Sequence, residues 1–267
     1  MKTNLTILLL FILASCSTPQ TNEEEPKPIQ VELQTTKGAI VLELSDKTPQ
    51  HRDNFVKLVE EGAYDSVLFH RVINDFVVQA GERDSTDISK NDKIRDYKVP
   101  AEFDSSLFHK RGALGAARDG NPERASSAIQ FYIVQRGPNA DSLIDKGETR
   151  INNWLANHYT LNAPENQALK NSLVNAMEQE NWEIYSALND SIQSLSESFD
   201  FDKYEIPEAH REIYRNIGGA PHLDQNYTVF GDVIKGMNVV DSIATIQVND
   251  QGRPIEDVRI ISAQIIK

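Results

Sequence analysis

Arg71 and Gln79 lie towards opposite ends of the stretch FHRVINDFVVQAG, Phe69 to Gly81. Arg71 carries a guanidinium that no ordinary pH neutralises, yet the run around it is apolar enough to form a sheet core. Burying a charge without a partner is costly. Arg71 therefore has two settings open to it: an ion pair with Asp75 or Glu82, or a cleft into which something else enters. In a cleft its chemistry would be hydrogen-bond donation rather than nucleophilic attack. Little else in the chain is reactive. Cys16 is the only cysteine, so no internal disulfide, thiol nucleophile or thiolate metal site is expected. The six histidines are scattered without metal-ligand spacing, and there is no Gly-x-Ser-x-Gly or phosphate loop. The expected metal and cofactor content is none.

The elements that must position these residues read as short strands. Val31 to Thr35 and Ala39 to Leu44 are β-branched and partly alternating, with a hairpin turn at Thr36-Lys37-Gly38. Pro49 opens a helical stretch whose Phe55, Leu58 and Val59 fall on one face, ended by Gly62. Further strands are expected over Ser66–Ile73, Phe76–Ala80, Gly112–Ala117, Ile129–Val134, Tyr227–Ile234 and Val258–Ile266, with a short helix over Met237–Ile243. Many short strands, glycine turns and two helices point to a barrel or sandwich. From Asn139 to Gly219 the pattern is helical instead. Asn162 is expected to cap a helix starting near Pro164 with Leu169, Leu173, Val174 and Met177 as its stripe. Trp182, Ile184, Tyr185, Leu188, Ile192 and Leu195 suggest a second helix, and Pro207 starts a third. A structureless loop of that length would be unusual in a compact domain, so an inserted α-helical subdomain is expected.

FHRVINDFVVQAG resembles the signature of the cyclophilins, the peptidyl-prolyl cis-trans isomerases. Ile129-Gln130-Phe131-Tyr132-Ile133 resembles a second block of that family, and Leu223 to Gly231 (LDQNYTVFG) a third, in the family's order. The resemblance implies a mainly β fold: a closed antiparallel eight-stranded barrel capped by two helices. Residues 29–137 and 221–267 would build the barrel, and 138–220 the helical insertion. It also implies roles. Arg71, Phe76 and Gln79 match the catalytic set, with Gln79 binding substrate backbone and orienting the arginine. Val77, Tyr132 and Leu223 join Phe76 in lining a proline pocket, while Ala117, Arg118 and Gln130 match groove positions that touch substrate backbone. Tyr227 stands where well-known eukaryotic members carry histidine, Val77 where methionine is usual, and His222 where a tryptophan contacts cyclosporin. Weak cyclosporin binding is expected. His70 is read as structural, facing away from Arg71 on an alternating strand. The implied reaction is rotation about X-Pro bonds, whose barrier is roughly 18–20 kcal/mol because amide resonance must break. A guanidinium N–H aimed at the twisted nitrogen or the adjoining carbonyl would favour the twisted state over the planar one. The competing reading is a non-catalytic proline-peptide-binding or chaperone module, with the insertion engaging a protein partner. The insertion enters immediately before His222 and is expected to wall one end of the groove.

The first residues carry a separate message. Lys2, the apolar run Leu8–Ala14 and then Ser15-Cys16 predict a signal peptide over residues 1–15. Leu13-Ala14-Ser15-Cys16 resembles the bacterial lipobox, which implies lipidation at Cys16 and a membrane anchor rather than a span. Residues 16–28 are polar, with Glu23-Glu24-Glu25 among them, and read as a tether. The expected location is extracytoplasmic, on a bacterial membrane, with the outer membrane facing the periplasm favoured over the inner. The formal charge of −13 argues against a nucleic-acid partner.

Overall fold

The structure, a computed structural model, describes residues 28–82 and 97–267. The signal peptide, Cys16 and all of the tether but its last residue lie outside the described residues. The strands are β1 (Gln30–Thr35), β2 (Gly38–Leu44), β3 (Leu68–Ile73), β4 (Val77–Glu82), β5 (Lys98–Val99), β6 (Ala113–Ala116), β7 (Ser126–Ser127), β8 (Phe131–Val134), β9 (Val229–Lys235) and β10 (Ile260–Ile265). Eight of them form one antiparallel sheet in the order β10-β1-β2-β9-β6-β8-β4-β3, and β5 pairs with β7 apart from it. The sheet is curled into a half-barrel. Among the described residues the barrel does not close: edge strands β3 and β10 meet at one end, through a Leu68–Arg259 bridge and backbone bonds that include Phe69 to Val258 and Ile260 to Val67.

The curl encloses one apolar core. Leu33, Leu42, Phe69, Val78, Leu114, Phe131 and Phe230 are buried there from successive strands. Helix α1 (Pro49–Glu60) closes one side with Phe55, Leu58 and Val59, as its spacing predicts. Phe55 lies 5.5 Å from the Phe131 ring, edge to face. Each such side chain contributes roughly 1.5–3 kcal/mol on burial. The short helix Met237–Ala244 buries Val240 and Ile243 in the same core.

Between β8 and β9 the chain forms α2 (Asp141–Asn162), α3 (Gln167–Glu178), α4 (Trp182–Ser196) and α5 (Glu208–Asn216), and α6 (Met237–Ala244) follows β9. Here the sequence reading needs correction. Asn162 ends α2 instead of capping the next helix, and Pro164–Asn166 is a single 3-10 turn before α3. The Asn162 side chain donates to the His158 carbonyl (2.8 Å) and accepts from Lys170 (2.7 Å). On α4, Ile192 is buried with Tyr185 and Leu188 beside it, but Trp182, Ile184 and Leu195 are exposed. The 22-residue α2 has its own stripe, Ile144, Ile151 and Leu155, packed with Tyr214 of α5 and with Phe108.

One irregularity decides what Arg71 faces. Phe69 pairs with Ala80 and Arg71 with Gln79, so two steps on β3 answer one on β4 and His70 is the extra residue of a bulge. Strict alternation would put Phe69 and Arg71 on one face. With the bulge, Phe69 and Val72 both enter the core while Arg71 leaves it.

Candidate active site

Outside the sheet, on the face opposite the main core, lies a cleft of about 380 Å³. Arg71 of β3, Val77 and Gln79 of β4 and Tyr132 of β8 reach it from adjacent strands. Phe76, from the turn before β4, and Ala117, just after β6, line it as well. So do Arg118, His222, Leu223 and Tyr227. Of the residues assigned to the groove from the sequence, Gln130 is absent from this lining, and it supports one that is present. Arg71 donates from Nη1 to Gln79 Oε1 (3.2 Å), and Gln79 Nε2 donates to Gln130 Oε1 (3.0 Å). This relay orients the Gln79 amide with its oxygen towards the guanidinium.

Neither carboxylate considered for Arg71 takes it. Asp75 accepts the Gly137 N–H (3.1 Å), and Glu82 lies 4.0 Å from Arg253. Among the described residues Arg71 makes no ion pair, and its charge is turned to the cleft. His70 does not reach the cleft lining, and burial pushes its pKa down.

The walls combine apolar surface with fixed polar groups. Phe76 stacks on His222, ring centroids 5.3 Å apart. Burial, reinforced by Arg150, pushes the His222 pKa down to about 4, so the ring is neutral at pH 7. The floor carries a buried chain that the sequence reading did not foresee. Tyr132 Oη and His109 Nε2 are 2.8 Å apart, and His109 Nδ1 and Asp224 Oδ1 2.7 Å. Tyr214 of α5 donates to Asp224 Oδ2 (2.6 Å). An Nδ1–H given to Asp224 leaves Nε2 to accept from Tyr132. The Tyr132 hydroxyl is thus held in place and tied to the helical segment. Gly115 makes room for it: a Cβ there would fall 2.3 Å from the Tyr132 ring.

Arg118 lies 5.3 Å over the Tyr227 ring, a cation–π contact. It donates from Nε to the Asn226 carbonyl (3.0 Å), from Nη2 to Asn226 Oδ1 (2.7 Å) and from Nη1 to the Asp119 carbonyl (2.7 Å).

Two lining residues escaped the sequence reading, Arg150 and Trp154, one turn apart on α2. Arg150 lies 4.6 Å over the Trp154 ring, which meets Tyr227 at 6.2 Å. Helix α2 comes this close because Gly147 faces the 3-10 turn Pro221–Leu223; a Cβ there would be 3.1 Å from the His222 nitrogen. The signal that could have found them is the helical period of Ile144, Ile151 and Leu155, with Arg150 and Trp154 an i,i+4 pair beside that stripe.

The model of the family described as "Cyclophilin type peptidyl-prolyl cis-trans isomerase/CLD" matches residues 30–161 and 208–265. A Staphylococcus haemolyticus protein named "Putative peptidyl-prolyl cis-trans isomerase" is 28% identical over 249 residues, 92% of this chain and 96% of its own. A protein of the same name from Staphylococcus epidermidis is 30% identical over 92% of this chain and 97% of its own. Among solved structures, a cyclophilin type peptidyl-prolyl cis-trans isomerase of Cryptosporidium parvum has the same fold, with a TM-score of 0.53 at 16% identity, covering 90% of this chain and 99% of that one. That protein has also been crystallised in the presence of the dipeptide Ala-Pro (TM-score 0.52, 16% identity, 89% and 99% covered).

Proposed function

Because the chain belongs to the cyclophilin-type peptidyl-prolyl cis-trans isomerases, we propose that its cleft holds a prolyl peptide and that Arg71 accelerates the rotation of the X-Pro bond. The observation that carries this reading is the partnering of Arg71: a guanidinium fixed by a neutral amide, with no carboxylate among the described residues, at the edge of an apolar slot. The presence of Ala-Pro with the Cryptosporidium parvum relative supports a proline as the ring that fills the slot.

Each part of the cleft has a task in this account. Phe76, Val77, Tyr132 and Leu223 hold the pyrrolidine ring by apolar contact, which keeps the ring still while the chain before it turns. As the amide twists, its nitrogen becomes pyramidal and gains a basic lone pair. The Arg71 N–H groups stabilise that lone pair, or the adjoining carbonyl, more than they stabilise the planar amide. Only such differential stabilisation raises the rate, and each 1.36 kcal/mol of it is worth about tenfold. Gln79 and Gln130 keep the fork from turning away, and Ala117 and Arg118 offer the groove edge to substrate backbone. No bond to carbon forms or breaks.

The substrates in this reading are extracytoplasmic proteins, whose X-Pro bonds isomerise unaided in roughly tens to hundreds of seconds. Lipidation at Cys16 would hold the enzyme at the membrane, and the polar tether would let the cleft reach proteins folding beside it. Labelling of the chain by a radioactive or clickable fatty acid, lost in Cys16→Ala, is the expected result. Turnover of a short X-Pro peptide, followed by a protease that cleaves only the trans form, tests the catalytic reading. Catalysis that falls in Arg71→Ala is expected; peptide binding with no turnover by the wild type would make the chain a proline-peptide binder instead.

A further inference from the structure

A second cleft, of about 350 Å³, opens beside the first and shares Arg118, Trp154 and Tyr227 with it. The loop after β6 forms one wall and helices α2, α3 and α4 the other. What marks the pair of clefts is uncompensated positive charge in a chain whose formal net charge is −13. Several arginines elsewhere are neutralised, Arg52 by Asp46 and Asp53, Arg211 by Asp145 and Glu148 and Arg215 by Asp141 and Glu208, although the Arg136 side chain is held, among the described residues, by Asn139 alone. Arg118, Arg124 and Arg150 make no ion pair among the described residues. Arg118 is held by Asn226 and backbone carbonyls, and Arg150 by the face of Trp154. Arg124 lies 4.6 Å over Phe103 and gives one N–H to the Gln225 carbonyl (2.6 Å), while its Nε is buried with no partner. Its backbone is left-handed (φ 57°), an uncommon setting for a non-glycine residue. Asp119, which lines the second cleft, is engaged with Lys98, and Glu123 with Lys170. Burial, with Arg124, Lys170 and Arg118 adding to it, pushes the His158 pKa in this cleft down to about 4.

Partly buried cations held by neutral groups are costly unless an anion completes them. A protein with so many carboxylates nonetheless leaves these three guanidiniums without an ion pair among the described residues. The groove and the cleft adjoin, so a few residues of extended chain, at ~3.3 Å each, link them. We propose that the second cleft is a subsite for an acidic side chain, Asp or Glu, on the same peptide strand as the proline, read by Arg124 together with Arg118, with Arg150 adding positive charge from the adjoining groove. This rests on the isomerase reading of the first cleft and adds a substrate class to it.

The test is a set of X-Pro peptides carrying Glu, Gln or Lys in turn at each of the three positions on either side of the proline. At low salt, kcat/KM for the Glu peptide is expected to exceed that of the isosteric Gln peptide by about tenfold at one or two positions, the worth of one charge-assisted hydrogen bond. Lys should be poorest there, and half-molar salt should shrink the ratio. Arg124→Gln and Arg150→Gln should each bring the Glu-to-Gln ratio towards one. Equal turnover of Glu and Gln peptides at every position, or a ratio that survives both substitutions, overturns the subsite while leaving the isomerase reading intact. If no peptide is turned over, that reading fails, and calorimetric affinities of the same peptides still decide the subsite. A Glu preference dependent on Arg124 supports it, and indifference to charge overturns it.

Discussion

At the scale of the residue, Tyr132 has two duties, a wall of the cleft and a member of the buried Tyr132–His109–Asp224–Tyr214 chain. Tyr132→Phe keeps the ring and removes only the hydroxyl. It also strands His109 Nε2 in a buried site, at a cost of about 1–3 kcal/mol. A lower denaturant midpoint, with turnover changed much less than in Arg71→Ala, is the expected outcome; unchanged stability would mean that the hydroxyl is idle. Protons report on the same region. His158 and His222 have folded-state pKa values of about 4 against an ordinary 6.5. Between these values the unfolded chain binds protons that the folded chain refuses. Their contribution to stability is therefore full above pH 6.5, declines as the pH falls towards 4 and is gone below it. The slope of unfolding free energy against pH over that window should be shallower in the His158→Gln/His222→Gln double variant. An unaltered slope would mean that neither ring is as buried as its surroundings indicate.

At the scale of the element, Gly147 sets how near α2 comes to the groove. In a helix interior, Gly→Ala normally gains about 0.5–1 kcal/mol. Here the new methyl would meet the Pro221 ring and the His222 backbone at 3.1–3.3 Å, and overpacking of this kind costs about 1–3 kcal/mol. Gly147→Ala is thus expected to lower stability despite its better propensity and to alter Trp154 fluorescence; a more stable variant would show that α2 has slack. The strands of the sheet were readable from short β-branched runs between glycine turns, and α1 from Phe55, Leu58 and Val59. The bulge at His70 was not, because register belongs to a pair of strands and no single run of residues records it. His70 is not among the residues lining the cleft, but alternation is no argument for that, because the bulge breaks it. Most of the cleft residues were readable because the resemblance names positions. Arg150 and Trp154 lie on α2, beyond the three matching blocks, and only three-dimensional packing brings them to Tyr227.

At the scale of the whole molecule, the helical segment is not a loose appendage. Tyr214 of α5 bonds Asp224 beneath the cleft, and Trp154 of α2 packs beside Tyr227. Two bodies joined through buried polar bonds and shared apolar surface should lose structure together. Far-UV circular dichroism and tryptophan fluorescence, with Trp154 at the cleft and Trp182 exposed on α4, are expected to trace one transition in denaturant. Separate midpoints would mean that the helices unfold by themselves and that their contact with the cleft is weak.

The central claim is that the Arg71 fork prefers the twisted amide to the planar one. Its most direct test separates turnover from binding in Arg71→Ala, using NMR exchange at saturating X-Pro peptide for the rate and calorimetry for Kd. The account expects the rate on the enzyme to fall by about 10²-fold, as loss of one preorganised donor does elsewhere, with Kd changed only a few-fold. An unchanged rate, or a loss confined to Kd, would contradict it.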